Sequence, residues 1–245
     1  MYLCNLAFAL IDRFAAGVFL FAIYSRARYG DLRRIAKIII DEVSESNESS
    51  LGFIEMLSES HKMRATGNRL GAHLPLIAPT KGLSEIAWGR EFIKISRLAG
   101  LDIGDWCQSR PLAPAPTQVG DWTDRAVTTL EVGMRLRGIV AKCTDFDPTG
   151  FTPYGCKATT LIMLSKYGAS LDDRLVLGHH QLHNGALEVY SRDLQSAPLR
   201  VLEHSLWPFL PRHDKIWIVY TCRKSSYFEG TSCGRCQSSA HDSLG

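Results

Sequence analysis

The chain has 245 residues and a mass of 27.3 kDa, enough for one large domain or two small ones, and 45% hydrophobic with 22% charged residues excludes a disordered or fibrous chain. A net charge of +3 permits a polyanionic partner without demanding one. The odd count of 7 cysteines, scattered from Cys4 to Cys236, excludes a secreted disulfide framework and points to a reducing compartment, cytosol or nucleus.

The first apolar runs, LCNLAFAL and AAGVFLFAIY, are interrupted by Asp12 and Arg13. Neither reaches the length of a membrane span, and no positive stretch or cleavage site marks a signal peptide. A buried core helix is predicted over residues 14–24, followed by Arg26, Arg28, Asp31 and Leu32. The β-branched run IAKIIIDEV, at 35–43, reads as a strand bounded by SESNESS. Residues 52–62 and 72–79 read as the second and third strands, with a turn at 65–71, giving a three-stranded antiparallel sheet after a helix. Helical spacing returns over 83–99, with Ile86, Phe92, Ile93, Ile95 and Leu98 as the apolar face and Gly100 past the end. The proline-rich 111–120 is predicted to be an extended surface connection within one domain. A helix is predicted over 123–143, with Leu130, Val132, Leu136 and Ile139 facing inward.

The stretch from Thr152 to Asp193 carries the most specific signals. Thr152 is placed to cap a helix whose first residue is Pro153. Ala158, Leu161, Ile162 and Ser165 fall on one face, and Gly168 is placed for a left-handed end. A short helix through Arg174 and Leu175 stops at Gly178, which presents His179. After a polar turn at Asn184 and Gly185, a third helix carries Glu188, Tyr190 and Arg192. Beyond Leu202 one short strand-like run leads into a glycine- and serine-rich end whose last fifteen or so residues read as disordered.

These segments resemble the catalytic domain of the tyrosine recombinase (phage integrase) family. The family pattern opens a helix with H-x-x-R, continues with L-G-H, and ends in a tyrosine on a following helix. Here the corresponding residues are Tyr154 and Lys157, then Leu177-Gly178-His179, then Tyr190. Upstream, Ala27-Arg28-Tyr29-Gly30-Asp31-Leu32 fits the family's G-x-R-x-x-E-L, with Arg28 at the arginine and Asp31 at the carboxylate. Arg26 is an alternative that this spacing does not favour. The wording of CKATTL and YSRDL is similar to recombinases of DIRS- or Crypton-like retroelements.

The resemblance implies an α+β, mainly helical catalytic domain over residues 1–205 with a small three-stranded antiparallel sheet. Residues 206–245 form a partly disordered tail, and the family's separate DNA-clamping domain is expected to be missing ahead of the first helix. It implies DNA breakage and rejoining without a metal or cofactor, on double-stranded DNA with self-association on that DNA, and with no membrane partner. Tyr190 is the expected nucleophile. Arg28 and Lys157 are the expected phosphate ligands, His179 a hydrogen-bond donor to the phosphate, and Lys62, at the end of the second strand, the acid for the leaving oxygen. Arg64 is the rival to Lys62, and His180 and His183 are the rivals to His179. Lys157 keeps the charge of an arginine but not its two-pronged donation, and Tyr154 donates a hydrogen bond where the family has a histidine. A DNA-binding relic of a mobile element and a type IB topoisomerase-like enzyme are the competing functions. In the tail, Cys222, Cys233, Cys236 and His241 hold a single C-x-x-C, which reads as an irregular segment rather than a zinc site.

Overall fold

A computed structural model describes residues 5–41, 52–59, 73–82, 87–108, 110–143, 145, 147–178, 197–199 and 201–202. The predicted turn at 65–71, the third helix carrying Tyr190, the boundary at 205 and the tail lie outside these residues.

Helix α1, Leu10–Ser25, is apolar on nearly every side and sits at the centre of the fold. It packs against helix α3 (Trp88–Leu98), strand β3 (Leu74–Pro79), helix α4 (Thr129–Cys143) and helix α5 (Pro153–Lys166). That all-round burial is what an all-round hydrophobic helix requires. The helix begins four residues before the predicted start, because Asp12 does not interrupt it. Asp12 lies in the first turn, where a carboxylate suits the helix dipole, and accepts from Arg135 at 2.9 Å and Lys142 at 2.7 Å on α4. Among the described residues no helix is long and apolar enough to cross a membrane.

Phe14 and Phe92 lie with ring centroids 5.7 Å apart, and Tyr24 stacks on Trp88 at 5.3 Å. The Trp88 indole N–H donates to the Pro79 carbonyl at 2.9 Å, so even this large ring leaves no polar atom unpaired. Gly17 permits a close approach: a Cβ there would stand 2.1 Å from the Phe92 ring. On α3 the inward positions are Trp88, Phe92, Ile93 and Ile95, while Leu98, predicted to face inward, is exposed.

After the single turn of α2, Tyr29–Leu32, strands β1 (Ile35–Asp41) and β2 (Phe53–Ser58) pair antiparallel, and β2 pairs antiparallel with β3. Ile40, Ile54 and Ala78 lie in register across the sheet, whose order is β1-β2-β3. The protein is therefore mixed helix and sheet, with the small antiparallel sheet that the sequence pattern predicts.

The segment 111–126 departs from expectation. Strand β4, Pro114–Pro116, pairs with β5, Trp122–Ala126, so the helix predicted from residue 123 starts only at Thr129. Nor does the whole of the proline-rich segment lie on the surface: Leu112 and Ala115 are fully buried, while residues 118–120 are exposed. The prolines cannot donate, but the residues between and beyond them complete the ladder. Val127 donates to the Ala113 carbonyl at 3.1 Å and Thr117 to Asp121 at 2.7 Å. Glu131 then starts α4 by accepting from the Thr128 N–H at 2.7 Å. Leu130, in that first exposed turn, faces solvent, while Val132, Leu136 and Ile139 face inward as predicted.

Helix α5 starts as its sequence predicts: the Thr152 hydroxyl accepts from the Gly155 N–H at 3.1 Å and Pro153 occupies the first position. It ends with Gly168 at φ 79°, the left-handed conformation expected there. Its buried face is a different one, however. Cys156, Lys157, Thr160 and Leu164 point inward, and Ile162 and Ser165 point outward. Helix α6, Leu171–Leu177, follows, capped by Ser170 accepting from Asp173 at 3.0 Å and ending at Gly178.

Candidate functional site

The chain leaves α1 through an unusual turn. Arg26 has φ 54° and ψ 29°, the left-handed region, and is the one described non-glycine residue with positive φ. Its N–H donates to Ile23 and that of Ala27 to Ala22, closing the helix end. A left-handed residue with a Cβ costs roughly 1–2 kcal/mol, and this one stands where the family pattern places glycine. Its side chain is fully buried. Nε donates to the Leu177 carbonyl at 3.1 Å, and Nη1 donates to the carbonyls of Tyr24 and, at 3.5 Å, Ile77. Nη2 has no hydrogen-bond partner among the described residues. Burial pulls the guanidinium down from 12.5 to about 9, which still leaves it charged at neutral pH.

Arg28 opens α2 and is half-buried. Asp31 holds this turn: its carboxylate accepts from the Arg28 N–H at 3.3 Å, and its own N–H donates to the Arg28 carbonyl at 2.9 Å. The Ser58 hydroxyl at the end of β2 donates to the Asp31 carbonyl at 2.6 Å, tying the turn to the sheet.

Lys157 enters from the first half of α5 and is only 3% exposed. Its Nζ donates to the carbonyl of Gly178. Its ammonium falls from 10.5 to about 8, chiefly through burial and then through nearby Arg28, with Asp31 opposing and Arg26 adding to the fall. Arg26, Arg28 and Asp31 therefore lie near enough to Lys157 to act on its charge, although Lys157 comes from a helix far along the chain. One helical turn on, the Thr160 hydroxyl donates to the Ile23 carbonyl at 3.1 Å and pins α5 to the end of α1.

Of the residues singled out in the sequence, the fold brings Arg28, Asp31 and Lys157 together. Tyr154 does not share that interior; it is 69% exposed on the outer side of α5. Lys62, His179, His180 and Tyr190 lie outside the described residues, as do Arg64 and His183. The described chain does reach Gly178, the residue before His179, and its carbonyl is the one that Lys157 holds.

The chemistry of this arrangement is that of an anion site. Arg28 and Lys157 supply two cations against the single carboxylate of Asp31, and the buried Arg26 is a third positive charge that acts on Lys157. An ammonium near 8 also exchanges its proton within the physiological range. Among the described residues no group of three or more histidine, cysteine or acidic side chains could hold a metal. The clefts along α4 and under the β4–β5 hairpin share none of Arg26, Arg28, Asp31 or Lys157.

Comparison of the chain with family models, with curated proteins and with solved structures finds no match in any of the three.

Sequence reasoning missed two parts of the site. One is Arg26, set aside because its spacing did not favour a phosphate ligand; its signal was an arginine at the pattern's glycine. The other is the pair of carbonyls at the end of α6, which no side-chain pattern records.

Proposed function

We propose that the chain breaks and rejoins DNA strands through a 3′-phosphotyrosine intermediate, as a domain of the tyrosine recombinase kind. The observation that carries this reading is the meeting of Arg28, Asp31 and Lys157 beside Gly178, although most of the sequence separates them. In this reading the Tyr190 oxygen attacks phosphorus while the bond to the 5′-oxygen breaks. Arg28 and Lys157 neutralise the non-bridging oxygens, His179 donates to one of them, and Lys62 protonates the leaving 5′-oxygen. A 5′-hydroxyl of a partner strand then reverses the step.

One observation favours a second reading, a DNA-binding relic. Lys157 is buried and already spends a hydrogen on the Gly178 carbonyl, so it has less to offer a phosphate than an exposed arginine would. A nicked suicide DNA substrate, which traps the covalent intermediate, decides between the two. The recombinase reading expects a covalent adduct with the unaltered protein and none with Tyr190→Phe, which has no oxygen to attack with. Salt-sensitive DNA binding with no adduct under any condition leaves the relic. An adduct that survives in Tyr190→Phe removes Tyr190 as the nucleophile.

A further inference from the structure

The carbonyls of Leu177 and Gly178 are consecutive, and two different buried cations hold them. Arg26 Nε donates to the first at 3.1 Å and Lys157 Nζ to the second. The free carbonyls at a helix C-terminus carry partial negative charge, so cations are the side chains suited to bind them there. Helix α6 is only seven residues long, and Leu177 is its one buried residue. What holds it to the fold is therefore concentrated at its end, where Leu177 joins the core and two cations bind the last carbonyls. The protein meanwhile maintains two unfavourable features at Arg26: a left-handed backbone at a non-glycine residue and a buried guanidinium atom without a partner among the described residues. Strain of this kind persists where the surrounding structure needs the residue. A glycine at position 26 would relieve both, and an apolar side chain would relieve the second.

Resting on the reading given under Proposed function, we infer that Arg26 is a positioning residue. By holding the Leu177 carbonyl it fixes the end of α6, with Gly178, against Lys157. Arg26 touches no substrate in this role. It acts through the backbone of α6, while its other bonds, to Tyr24 and Ile77, anchor it to the end of α1 and to β3.

The test is Arg26→Gly, which suits the left-handed backbone and so keeps the helix end. Hydrogen exchange of the full chain reads the positioning without any need for activity. The Gly178 N–H, which donates to Arg174 at 2.8 Å, and its neighbours in α6 should exchange at least tenfold faster in Arg26→Gly. The amides of α3 should keep their rates. Arg26→Lys, which retains one cationic donor, should recover part of the α6 protection, and adding guanidinium ion at low millimolar concentration should do so in Arg26→Gly. Unchanged α6 exchange overturns the inference. So does an equal acceleration in α6 and α3, which would make Arg26 an ordinary contributor to global stability. At saturating protein, Arg26→Gly should form adduct on the suicide substrate at least tenfold more slowly. If adduct formation keeps its rate although α6 loosens, the functional part of the inference is overturned. If the unaltered protein forms no adduct, the recombinase reading fails, and the exchange data still decide whether Arg26 anchors α6.

Discussion

Two interiors of this protein are equally dry and built on opposite terms. Around α1 and α3, Phe14, Tyr24, Trp88 and Phe92 fill space with rings and leave almost nothing polar behind. At the C-terminal end of α1, Arg26, Lys157 and Thr160 are as thoroughly buried; carbonyls at the end of α6 hold the two cations, and one of α1 holds Thr160. Burying apolar area stabilises in proportion to that area. Burying cations against neutral carbonyls at best breaks even, because the lost hydration is only partly returned. The first interior exists to keep the chain folded; the second is kept in spite of what it does to folding, and such places are where function is to be sought.

Truncation separates them most sharply. Phe92 is fully buried, touches the edge left by Gly17, and packs on both Phe14 and Trp88. Phe92→Ala should lower stability by about 3–5 kcal/mol, the usual loss for an aromatic side chain whose cavity cannot collapse. Lys157→Met should change it by about 1 kcal/mol or less at neutral pH. The released desolvation cost offsets the carbonyl left unpaired at Gly178. Urea titrations of the two variants make the comparison, and a loss at Lys157 as large as that at Phe92 would erase the distinction.

The same contrast explains what the sequence revealed. The apolar interior was legible because its pattern is nearly unbroken: α1, the three strands and the inward Phe92, Ile93 and Ile95 of α3 follow from it, while Leu98 of α3 does not. Only the ends of elements moved, as where Asp12 joined the helix it was expected to interrupt. The polar interior inverted the signal. On α5 the apolar positions Ala158, Leu161 and Ile162 suggested one buried face, while the real one carries Lys157 and Thr160 because carbonyls from α1 and α6 await them. No window along α5 contains that information, since the acceptors lie far off in sequence. The β4–β5 hairpin was missed for another reason: Pro114 and Pro116 argue against a ladder, and bonds from the flanking Ala113 and Thr117 help to complete it. The meeting of Arg28, Asp31 and Lys157 was legible through motif order alone.

A smaller effect than truncation is the response to pH, and its sign belongs to the polar interior. The Lys157 ammonium falls from 10.5 when unfolded to about 8 when folded, mainly through burial. Between those values the unfolded chain binds more protons than the folded one, so stability rises with pH across the window and is flat with respect to this group outside it. The contribution is at most about 3 kcal/mol, at 1.36 kcal/mol per unit. Cys143 works against it: burial raises that thiol from 9 to about 11, and the folded state there holds the extra proton. The difference between the unaltered protein and Lys157→Met cancels the thiol and isolates the lysine. Chemical denaturation at pH 7.5, 9 and 10.5 should show the difference moving in favour of the unaltered protein as pH rises. A difference that stays constant would mean that Lys157 is as solvated in the folded chain as in the unfolded one.

The smallest effect joins the two interiors through a single cap. Thr152 has an extended backbone, φ −133° and ψ 151°, and its hydroxyl accepts the Gly155 N–H at 3.1 Å, one of the unpaired donors of the first turn of α5. Thr152→Ala removes that acceptor and should cost about 1 kcal/mol, whereas Thr152→Ser keeps the oxygen and should stay within a few tenths. The cost alone would not distinguish this cap from that of Ser170 on α6. Its position does, because Lys157 lies only two residues beyond Gly155 and depends on the first turn to aim Nζ at Gly178. A frayed first turn lets water reach the ammonium, which returns toward 10.5. Thr152→Ala should therefore shrink the pH-dependent difference assigned to Lys157 as well as lower stability, while Ser170→Ala should lower stability and leave the pH profile unchanged. Identical pH profiles in the two variants would show that the burial of Lys157 is set by the packing of α5 as a whole and owes nothing to its cap.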